Sequence, residues 1–376
     1  MKFSIFNRRT FAHFDWALIL MILPIMAMSF FLIREININL AYKQGGYIAV
    51  AFCLFIIAFL LPIRRLYWAI PFAYWFGVGL LALVDIVGVT RMGAQRWLEL
   101  PFFGLTFQPS EIFKPCFILM LAYLIRESPP SKGGYEWRTF FKLLFYIAVP
   151  FALIMKEPDL GTAFLLALIG GGVMIAVGLQ RKIWVTFALV LSLSGGFFYF
   201  VGYDMLPDYQ KKRIEDFLSE NDSYHARQSL IAIGNGGISG KQPEEATQTQ
   251  LRFLPIAASD FIFAYFAERF GFAGALLLIA LYAMIVLHLF SLNSKARGDY
   301  FTMVTITATA IMIFLYMAVN IAMTTRLAPV VGVPLPLFSH GGSSFVNFIV
   351  MFAIIENLLA FRFDFLYTSA PRSLDR

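Results

Sequence analysis

Acidic side chains stand at the edges of long apolar stretches in this sequence. Asp260 is the leading catalytic candidate, because it lies where a long polar stretch meets an apolar run that begins at residue 261. A carboxylate in this place can act as a general base that takes a proton from an attacking hydroxyl. It can also serve as the N-cap of a helix, and the local pattern leaves both interpretations open.

Two further pairs of charged residues have spacings that suggest chemistry. Glu111 and Lys114 lie three residues apart and share a helical face inside an apolar run, as either a structural ion pair or part of a substrate site. Glu157 and Asp159 lie at the end of another apolar run. Asp159 is placed to cap the next helix, and the two carboxylates could also hold a divalent cation such as Mg²⁺ or Mn²⁺.

Other candidate binding residues lie in the polar segments between apolar runs. Trp97 belongs either to an aromatic belt at the membrane surface or to a platform for a lipid-linked substrate. Lys241 follows a glycine-rich stretch, 234–240, that could cradle a phosphate, although the spacing is not that of a P-loop. Ser343 lies in a glycine and serine turn that we expect to cap the last apolar run, and the nearby His340 is interpreted as a hydrogen-bonding loop residue.

The elements that must position these residues are membrane helices. With 59% hydrophobic and 14% charged residues, the chain differs from a soluble domain, in which about 25% of residues are charged. Windows of about 20 apolar residues span a bilayer, and they predict an all-α polytopic membrane protein. The ten predicted spans are 16–34, 47–62, 68–88, 109–125, 140–155, 162–179, 183–203, 261–289, 301–319 and 344–361.

Lysine and arginine in the short loops predict the orientation of these spans. If the N-terminus is cytoplasmic, 16 basic residues lie in inside segments and 6 in the short outside loops. Both termini are then cytoplasmic, and the long loop 204–260 is extracytoplasmic, with six basic and nine acidic residues. We expect one integral membrane domain over 1–376, an uncleaved first helix, and contact of the basic inner side with anionic lipid rather than nucleic acid.

Several activities are disfavoured by what the sequence lacks. The two cysteines, Cys53 and Cys116, fall inside predicted spans and form no CxxC motif, so a disulfide framework or a cysteine metal site is not expected. No nucleotide-binding glycine motif follows a strand pattern, so we do not expect the chain alone to drive transport with ATP.

Five sequence blocks, taken in order, resemble the SEDS family of bacterial shape, elongation, division and sporulation proteins. Two of them are GAQRWLELPFFGLTFQPSEIFKP and EPDLGTA, which look like the family's GxRRW…QPSExxK and (E/Q)PDxGT blocks. The other three are SYHARQSLIAIGNGGISGK, TQTQLRFLPIAASDFIFAYFAERFG and VGVPLPLFSHGGSS. The resemblance covers nearly the full length, and five blocks at matching membrane positions are more specific than any block alone. The YHxxQS wording and the short termini favour the elongation role over the division role.

The resemblance implies a glycosyltransferase that polymerises lipid II into peptidoglycan strands, in the bacterial inner membrane with its active site facing the periplasm. It implies a class B penicillin-binding protein as partner, together with other proteins of the elongation machinery. The family's essential aspartate falls on Asp260. The residues that we assign to substrate binding from the matching motifs and the neighbouring loop are Trp97, Glu111, Lys114, Asp159, Arg213, His225, Gln228, Lys241 and Ser343.

Some positions depart from the family pattern, and other functions stay open. Ile256 and Arg269 replace glutamates of the family blocks, and Ala258-Ser259 replaces a His-Thr pair. These changes weaken the case for a second carboxylate beside Asp260. A leaving pyrophosphate would need positive charge from a residue such as Arg213, Arg96 or Lys114, or from a divalent cation. A lipid II flippase and a noncatalytic scaffold for the penicillin-binding protein are the alternative functions.

Overall fold

Long helices make up most of the chain. The structure is a computed structural model that describes residues 13–91, 94–100, 105–157, 159–187, 189, 211, 224–246 and 257–362. The helices are α1 (Trp16–Ile36), α2 (Ile38–Leu60), α3 (Ile70–Val87), α4 (Pro109–Glu127), α5 (Trp137–Lys156), α6 (Leu160–Val177), α7 (Tyr224–Gly236), α8 (Ile262–Leu292), α9 (Tyr300–Thr324) and α10 (Gly342–Ala360). The predicted all-α membrane fold class is confirmed.

Most of the predicted spans correspond to helices of the structure. Within the described ranges, eight helices are long and apolar enough to cross a membrane, namely α1, α2, α3 with the short turn before it, α5, α6, α8, α9 and α10. α4 occupies the predicted fourth span and carries the charged pair. The predicted seventh span, 183–203, lies largely outside the described residues, as does about half of the loop 204–260. The chain is a multi-pass membrane protein, and the count of ten spans stays a prediction.

The bundle has two ends, because successive spans run in opposite directions. One end, called the Asp260 end below, holds the start of α8, the last turns of α1 and α9, and the start of α6. At the opposite end, the N–H of Asp15 donates to Glu356 and the Lys295 ammonium donates to the Asp15 carboxylate. α9 and α10 are the most buried of the spans, and α2 is the least buried. α9, which contacts α4, α6 and α8, therefore forms the centre against which the site is built.

A small antiparallel sheet precedes α4, where the sequence predicted only a polar loop between the spans 68–88 and 109–125. Its strands are β1 (Val89–Arg91), β2 (Ala94–Leu100) and β3 (Leu105–Phe107), in the order β1-β2-β3. Val89 pairs with Trp97, and Leu98 pairs with Phe107. The prediction was wrong here because pairing between strands satisfies backbone N–H and C=O groups that a loop would leave to water.

Candidate active site

The backbone leading to Asp260 is fixed by hydrogen bonds to three consecutive carbonyls. The carbonyl of residue 258 accepts from the backbone N–H of His340 at 2.7 Å, and that of residue 259 accepts from the Ser339 hydroxyl at 2.6 Å. The carbonyl of Asp260 accepts from the Asn320 amide of α9 at 2.9 Å. Each of these carbonyls precedes α8, so they are free for partners outside that helix. The segment before α8 is therefore held by α9 and by the loop that precedes α10.

The Asp260 carboxylate does not do what the other aspartates at helix starts do. Asp15, Asp159 and Asp299 each accept a hydrogen bond from the N–H three residues later, at 3.1, 3.3 and 3.2 Å. At α8 the N-cap is Phe261, and no side chain caps the helix. Within the part of the chain that the structure describes, Asp260 is thus not used as a helix cap. Of the two interpretations that the sequence left open, the helix cap is wrong, and the catalytic role of Asp260 stays a prediction.

The surroundings of the Asp260 side chain favour its protonated form but leave space beside it. The side chain is partly buried. Burial raises the pKa of the Asp260 carboxyl, and a hydrogen bond from Ser259 offsets this only in part. Gly332 lies next to it with φ +70°, and a Cβ at Gly332 would lie 3.4 Å from Asp260 Oδ2. A glycine at this position therefore keeps the carboxylate accessible from the loop side.

The loop segment 331–333 lies between Asp260 and a second group of polar residues. On one side of this segment, Gly332 lies beside Asp260. The carbonyl of Val333 accepts a hydrogen bond from the Asn320 amide at 2.7 Å. On the other side, a Cβ at Gly161 of α6 would lie 2.8 Å from the carbonyl of Val331, so α6 packs directly on the segment. The start of α6 and Asp260 therefore flank the same three residues.

The charged pair predicted in α4 is present and buried. Lys114 Nζ lies 2.5 Å from Glu111 Oε1, and both side chains are almost fully buried. The ammonium also donates to the hydroxyl of Tyr316 on α9, above whose ring it lies. Among the described residues, Glu111 Oε2 has no hydrogen-bond partner. This cluster ties α4 to α9 in the interior of the bundle, where unpaired charges would be costly.

Asp159 has a structural role and also collects polar partners. It caps α6, as the sequence suggested, and its second oxygen accepts from the Gln108 amide at 3.1 Å. Arg96 of β2 lies 3.6 Å from the Asp159 carboxylate and donates to the carbonyl of Glu157 at 3.1 Å. The sheet therefore brings the Arg96 side chain, which is 23% exposed, to the turn between α5 and α6.

Glu157 is the carboxyl in this turn that is not engaged. It is 1% exposed, and neither of its oxygens has a hydrogen-bond partner among the described residues. Burial, and then the nearby Asp159 and Asp85, raise the pKa of Glu157 to about 8, against a smaller opposite effect of Arg96. Within the described residues, no three His, Cys, Asp or Glu side chains converge to hold a metal ion. The divalent cation that the sequence suggested for Glu157 and Asp159 stays a prediction.

Helix α7 brings the predicted residues His225 and Gln228 to the start of α8. The His225 ring stacks on Phe261, with the ring centroids 6.1 Å apart and the planes at 19°. Gln228 is three residues further along and shares the same face. The Ser229 hydroxyl donates to the carbonyl of Thr324 at 2.7 Å, which fastens α7 to the end of α9. The positions of His225 and Gln228 agree with the assignment to a substrate site, which stays a prediction.

Two glycines, one at the end of α7 and one just after it, have a packing role. A Cβ at Gly236 would lie 2.0 Å from the carbonyl of Ala267, and one at Gly240 would lie 2.2 Å from that of Arg269. The N–H of Lys241 donates to the carbonyls of Glu268 and Arg269. These glycines let the chain approach α8 at its kink. The close approach explains Gly236 and Gly240, whereas a Cβ at Gly234 or Gly237 would meet nothing within 4 Å. The predicted phosphate contact of Lys241 stays a prediction.

The remaining predicted residues are placed as follows. Trp97 is partly buried in β2, where its side chain lies on the opposite face of the strand from that of Arg96. Ser343 is partly buried in the first turn of α10. The N-cap of α10 is Gly341, which lies in the predicted glycine and serine turn, and no side chain caps the helix. Arg213 lies outside the described residues.

Comparison with known proteins assigns this chain to a family. The model of the cell cycle protein family of FtsW, RodA and SpoVE matches residues 7–363. The chain belongs to this family. It is the family that the five sequence blocks predicted.

Two curated relatives are named peptidoglycan glycosyltransferase MrdB. The protein of Helicobacter pylori is 51% identical over 366 residues, covering 97% of this chain and 95% of that protein. The protein of Escherichia coli K12 is 35% identical over 367 residues, covering 94% and 96%. The predicted enzyme class of this family member, peptidoglycan glycosyltransferase, is confirmed by these relatives.

Two solved structures share the fold of this family member. A chain from a peptidoglycan synthase complex has a TM-score of 0.80 at 24% identity, covering 93% of this chain and 99% of that chain. The rod shape determining protein RodA of Thermus thermophilus has a TM-score of 0.68 at 24% identity, covering 93% and 98%. At this level of identity the likeness concerns the fold.

Sequence reasoning missed two residues that organise the site. Asn320 holds the Asp260 backbone, and Tyr316 contacts Lys114, and both lie on α9. They are four residues apart and so share one face of the helix. Polar side chains at a helical spacing inside an apolar span were the available signal, because a buried polar group in a membrane helix needs a partner.

Proposed function

We propose that this chain polymerises lipid II into the glycan strands of peptidoglycan during cell elongation, with Asp260 as the general base. The observation that carries the proposal is the contrast at Asp260: its backbone is held by three hydrogen bonds, while its carboxylate caps no helix. A side chain whose backbone is fixed and which caps no helix suits a group that acts on substrate. The names of the curated relatives support the reaction class.

The proposed reaction is a single displacement between two lipid-linked sugars. A hydroxyl of the acceptor sugar attacks the anomeric carbon of the donor, and its proton passes to the Asp260 carboxylate as the new C–O bond forms. The bond from the anomeric carbon to the lipid pyrophosphate breaks, and its electron pair leaves on the phosphate oxygen. Such an attack inverts the anomeric centre and needs no covalent intermediate. Because burial raises the pKa of Asp260, its carboxylate is a stronger proton acceptor than an exposed aspartate.

The departing pyrophosphate needs positive charge near the start of α6. Arg96 suits this role best among the described cations of the site, because part of its guanidinium side is exposed while it is held at the Glu157–Asp159 turn. Lys114 is buried and engaged by Glu111 and Tyr316, so it contributes charge to the interior rather than a free donor. Stabilising charge that develops in the transition state is a large part of enzymatic catalysis.

A divalent cation is a second possible source of that charge. Mg²⁺ commonly binds through one or two carboxylates together with substrate phosphates. Both oxygens of Glu157 lack a partner among the described residues, so Glu157 would fit this pattern once it had released the proton that burial favours. Asp159 fits less well, since its oxygens already bind Gln108, Arg96 and the N–H of Thr162. A cation held by Glu157 would supply positive charge to the leaving phosphate.

The setting of the reaction follows from the same proposal. The distribution of lysine and arginine supports an Asp260 end that faces the periplasm, where lipid-linked sugars would meet the carboxylate. A class B penicillin-binding protein would crosslink the strands that the chain makes. The resemblance to the SEDS family supports this partner.

Reconstitution of the purified chain with its penicillin-binding partner and fluorescent lipid II tests the proposal. Wild type should make glycan strands, and Asp260→Ala should not. Asp299→Asn is a matched control, because Asp299 also stands at a helix start and Asn is an equally good N-cap. We expect this control to polymerise at the wild-type rate.

The same vesicles distinguish the alternative functions. If wild type moves lipid II across the membrane without making glycan, the chain is a transporter. If it does neither but still binds the penicillin-binding protein, it is a scaffold. Either result overturns the proposed function.

A further inference from the structure

An ion pair at the Asp260 end joins α1 to the first part of α8. Arg269 donates through Nε to Glu35 Oε2 at 2.8 Å and through Nη2 to Glu35 Oε1 at 3.2 Å. The hydroxyl of Tyr265, one turn earlier on α8, donates to the same carboxylate at 3.0 Å. The remaining guanidinium nitrogen, Nη1, donates to the carbonyl of Lys241. Glu35 therefore receives three hydrogen bonds from α8, and the Arg269 guanidinium is bound on both sides.

The pair lies at a break in α8. At Gly271 the backbone has φ +66° and ψ −169°, which is outside helical geometry, so the residues before and after it form two helical segments. The turn at 237–241 bridges the break, because the N–H groups of Phe272 and Ala273 donate to the carbonyls of residues 237 and 238. Asp260 stands at the far end of the first segment. The orientation of this first segment is therefore fixed at both ends. The hydrogen bonds to the carbonyls of residues 258–260 hold its start, and the ion pair between Arg269 and Glu35 holds its end.

Arg269 is also a departure from the pattern of the matching sequence block, which has a glutamate there. Arginine at position 269 puts a positive charge where the family block has a negative one, and Glu35 pairs with that positive charge in this chain. The two side chains are 10% and 30% exposed, so water screens the pair only in part. A bidentate contact between guanidinium and carboxylate fixes geometry as well as charge.

We propose that Arg269 and Glu35 are positioning residues that hold the first segment of α8, and with it Asp260, in the orientation needed for proton transfer. Neither touches the reacting atoms. The inference rests on the proposed role of Asp260. Misplacement of a catalytic group by about 1 Å can lower a rate about 100-fold. The ion pair at the other end of the segment can therefore affect the rate by changing the position of Asp260.

A charge exchange tests the pair. In the reconstituted assay with fluorescent lipid II, Arg269→Glu and Glu35→Arg should each lower kcat about 10-fold to 100-fold with little change in KM. The double variant Arg269→Glu/Glu35→Arg should recover most of the rate. Glu127→Gln removes an exposed ion pair with Arg126, 35% and 43% exposed, and serves as a control that should keep the wild-type kcat.

The outcomes separate this inference from the proposed function. If wild type and Asp260→Ala make equal amounts of glycan, or wild type makes none, the role of Asp260 is wrong. If wild type is active and Asp260→Ala is not, yet the single charge variants keep the wild-type kcat, the positioning role is wrong. A double variant that folds but stays as slow as the single variants also overturns it.

Discussion

Asn320 and Tyr316 lie one turn apart on α9 and contact the two halves of the site. Asn320 donates to the carbonyl of Asp260 at 2.9 Å, and Tyr316 accepts a hydrogen bond from the ammonium of Lys114. Both side chains are almost fully buried. One face of α9 thus fixes the spacing between the proposed base and the buried ion pair.

Loss of the Asn320 side chain should lower both stability and rate. Asn320→Ala removes the donor to the carbonyls of Asp260 and Val333, and two buried acceptors without partners cost about 2–6 kcal/mol together. Asn357→Ala is the matched control, since Asn357 donates to the carbonyls of Phe59 and Leu61 at the opposite end. Both variants should unfold at lower temperature, but only Asn320→Ala should lower kcat per folded molecule. Equal kcat values would contradict the anchoring role.

Breaking the buried ion pair should be costly. Glu111→Gln or Lys114→Met leaves one charge buried without its partner, and this costs about 3–5 kcal/mol. The combined variant Glu111→Gln/Lys114→Met removes both charges and should lose less than the sum of the two. Denaturant unfolding of the detergent-solubilised chain measures the difference. The pair is not structural if each single variant loses as little as Glu127→Gln, for which an exposed pair predicts about 0–1 kcal/mol.

The buried Glu157 should make stability depend on pH. Its pKa is raised from 4.5 to about 8, so the folded chain holds a proton that the unfolded chain releases between these values. Stability is therefore greatest below pH 4.5 as far as this group is concerned, and it falls as pH rises toward 8. Glu157→Gln should lower this pH dependence of the unfolding temperature, while Glu127→Gln should leave it unchanged. Parallel curves for wild type and Glu157→Gln would show that the carboxyl is not neutral in the fold.

A side chain at Gly332 should cover the loop side of the Asp260 carboxylate. Gly332→Ala places a Cβ 3.4 Å from Asp260 Oδ2 at a backbone φ of +70°, and the left-handed conformation costs about 1–2 kcal/mol. Gly298 has φ +87° with open space around it, so Gly298→Ala should carry the same backbone cost without the contact. We expect a lower kcat for Gly332→Ala only, measured by polymerisation of lipid II. A rate equal to that of Gly298→Ala would mean that the carboxylate does not need the space.

The sequence predicts those parts of the fold that depend on local patterns. Apolar runs located most of the spans, because a bilayer demands them at a fixed length. The spacing of Glu111 and Lys114 predicted their ion pair, and the position of Asp159 before an apolar run predicted its cap. In each case the interacting residues are three positions apart, so the helix itself brings them together.

Contacts between distant segments could not be predicted in the same way. Arg269 and Glu35 are 234 positions apart, and Lys114 and Tyr316 are 202 apart, so the packing of whole helices decides which side chains meet. The sheet before α4 was missed because two of its three strands, β1 and β3, have only three residues each. The choice between cap and catalyst at Asp260 required the bonds to Ser339, His340 and Asn320, which come from two other elements.

The rate of lipid II polymerisation by Asp260→Asn tests the central claim most directly. Asparagine keeps the size of the side chain and all three carbonyl bonds, which involve only the backbone of residues 258–260, but it cannot accept the proton. We predict a rate about 100-fold to 10,000-fold below wild type, with binding of lipid II almost unchanged. If Asp260→Asn folds, binds lipid II and polymerises it at the wild-type rate, Asp260 is not the general base.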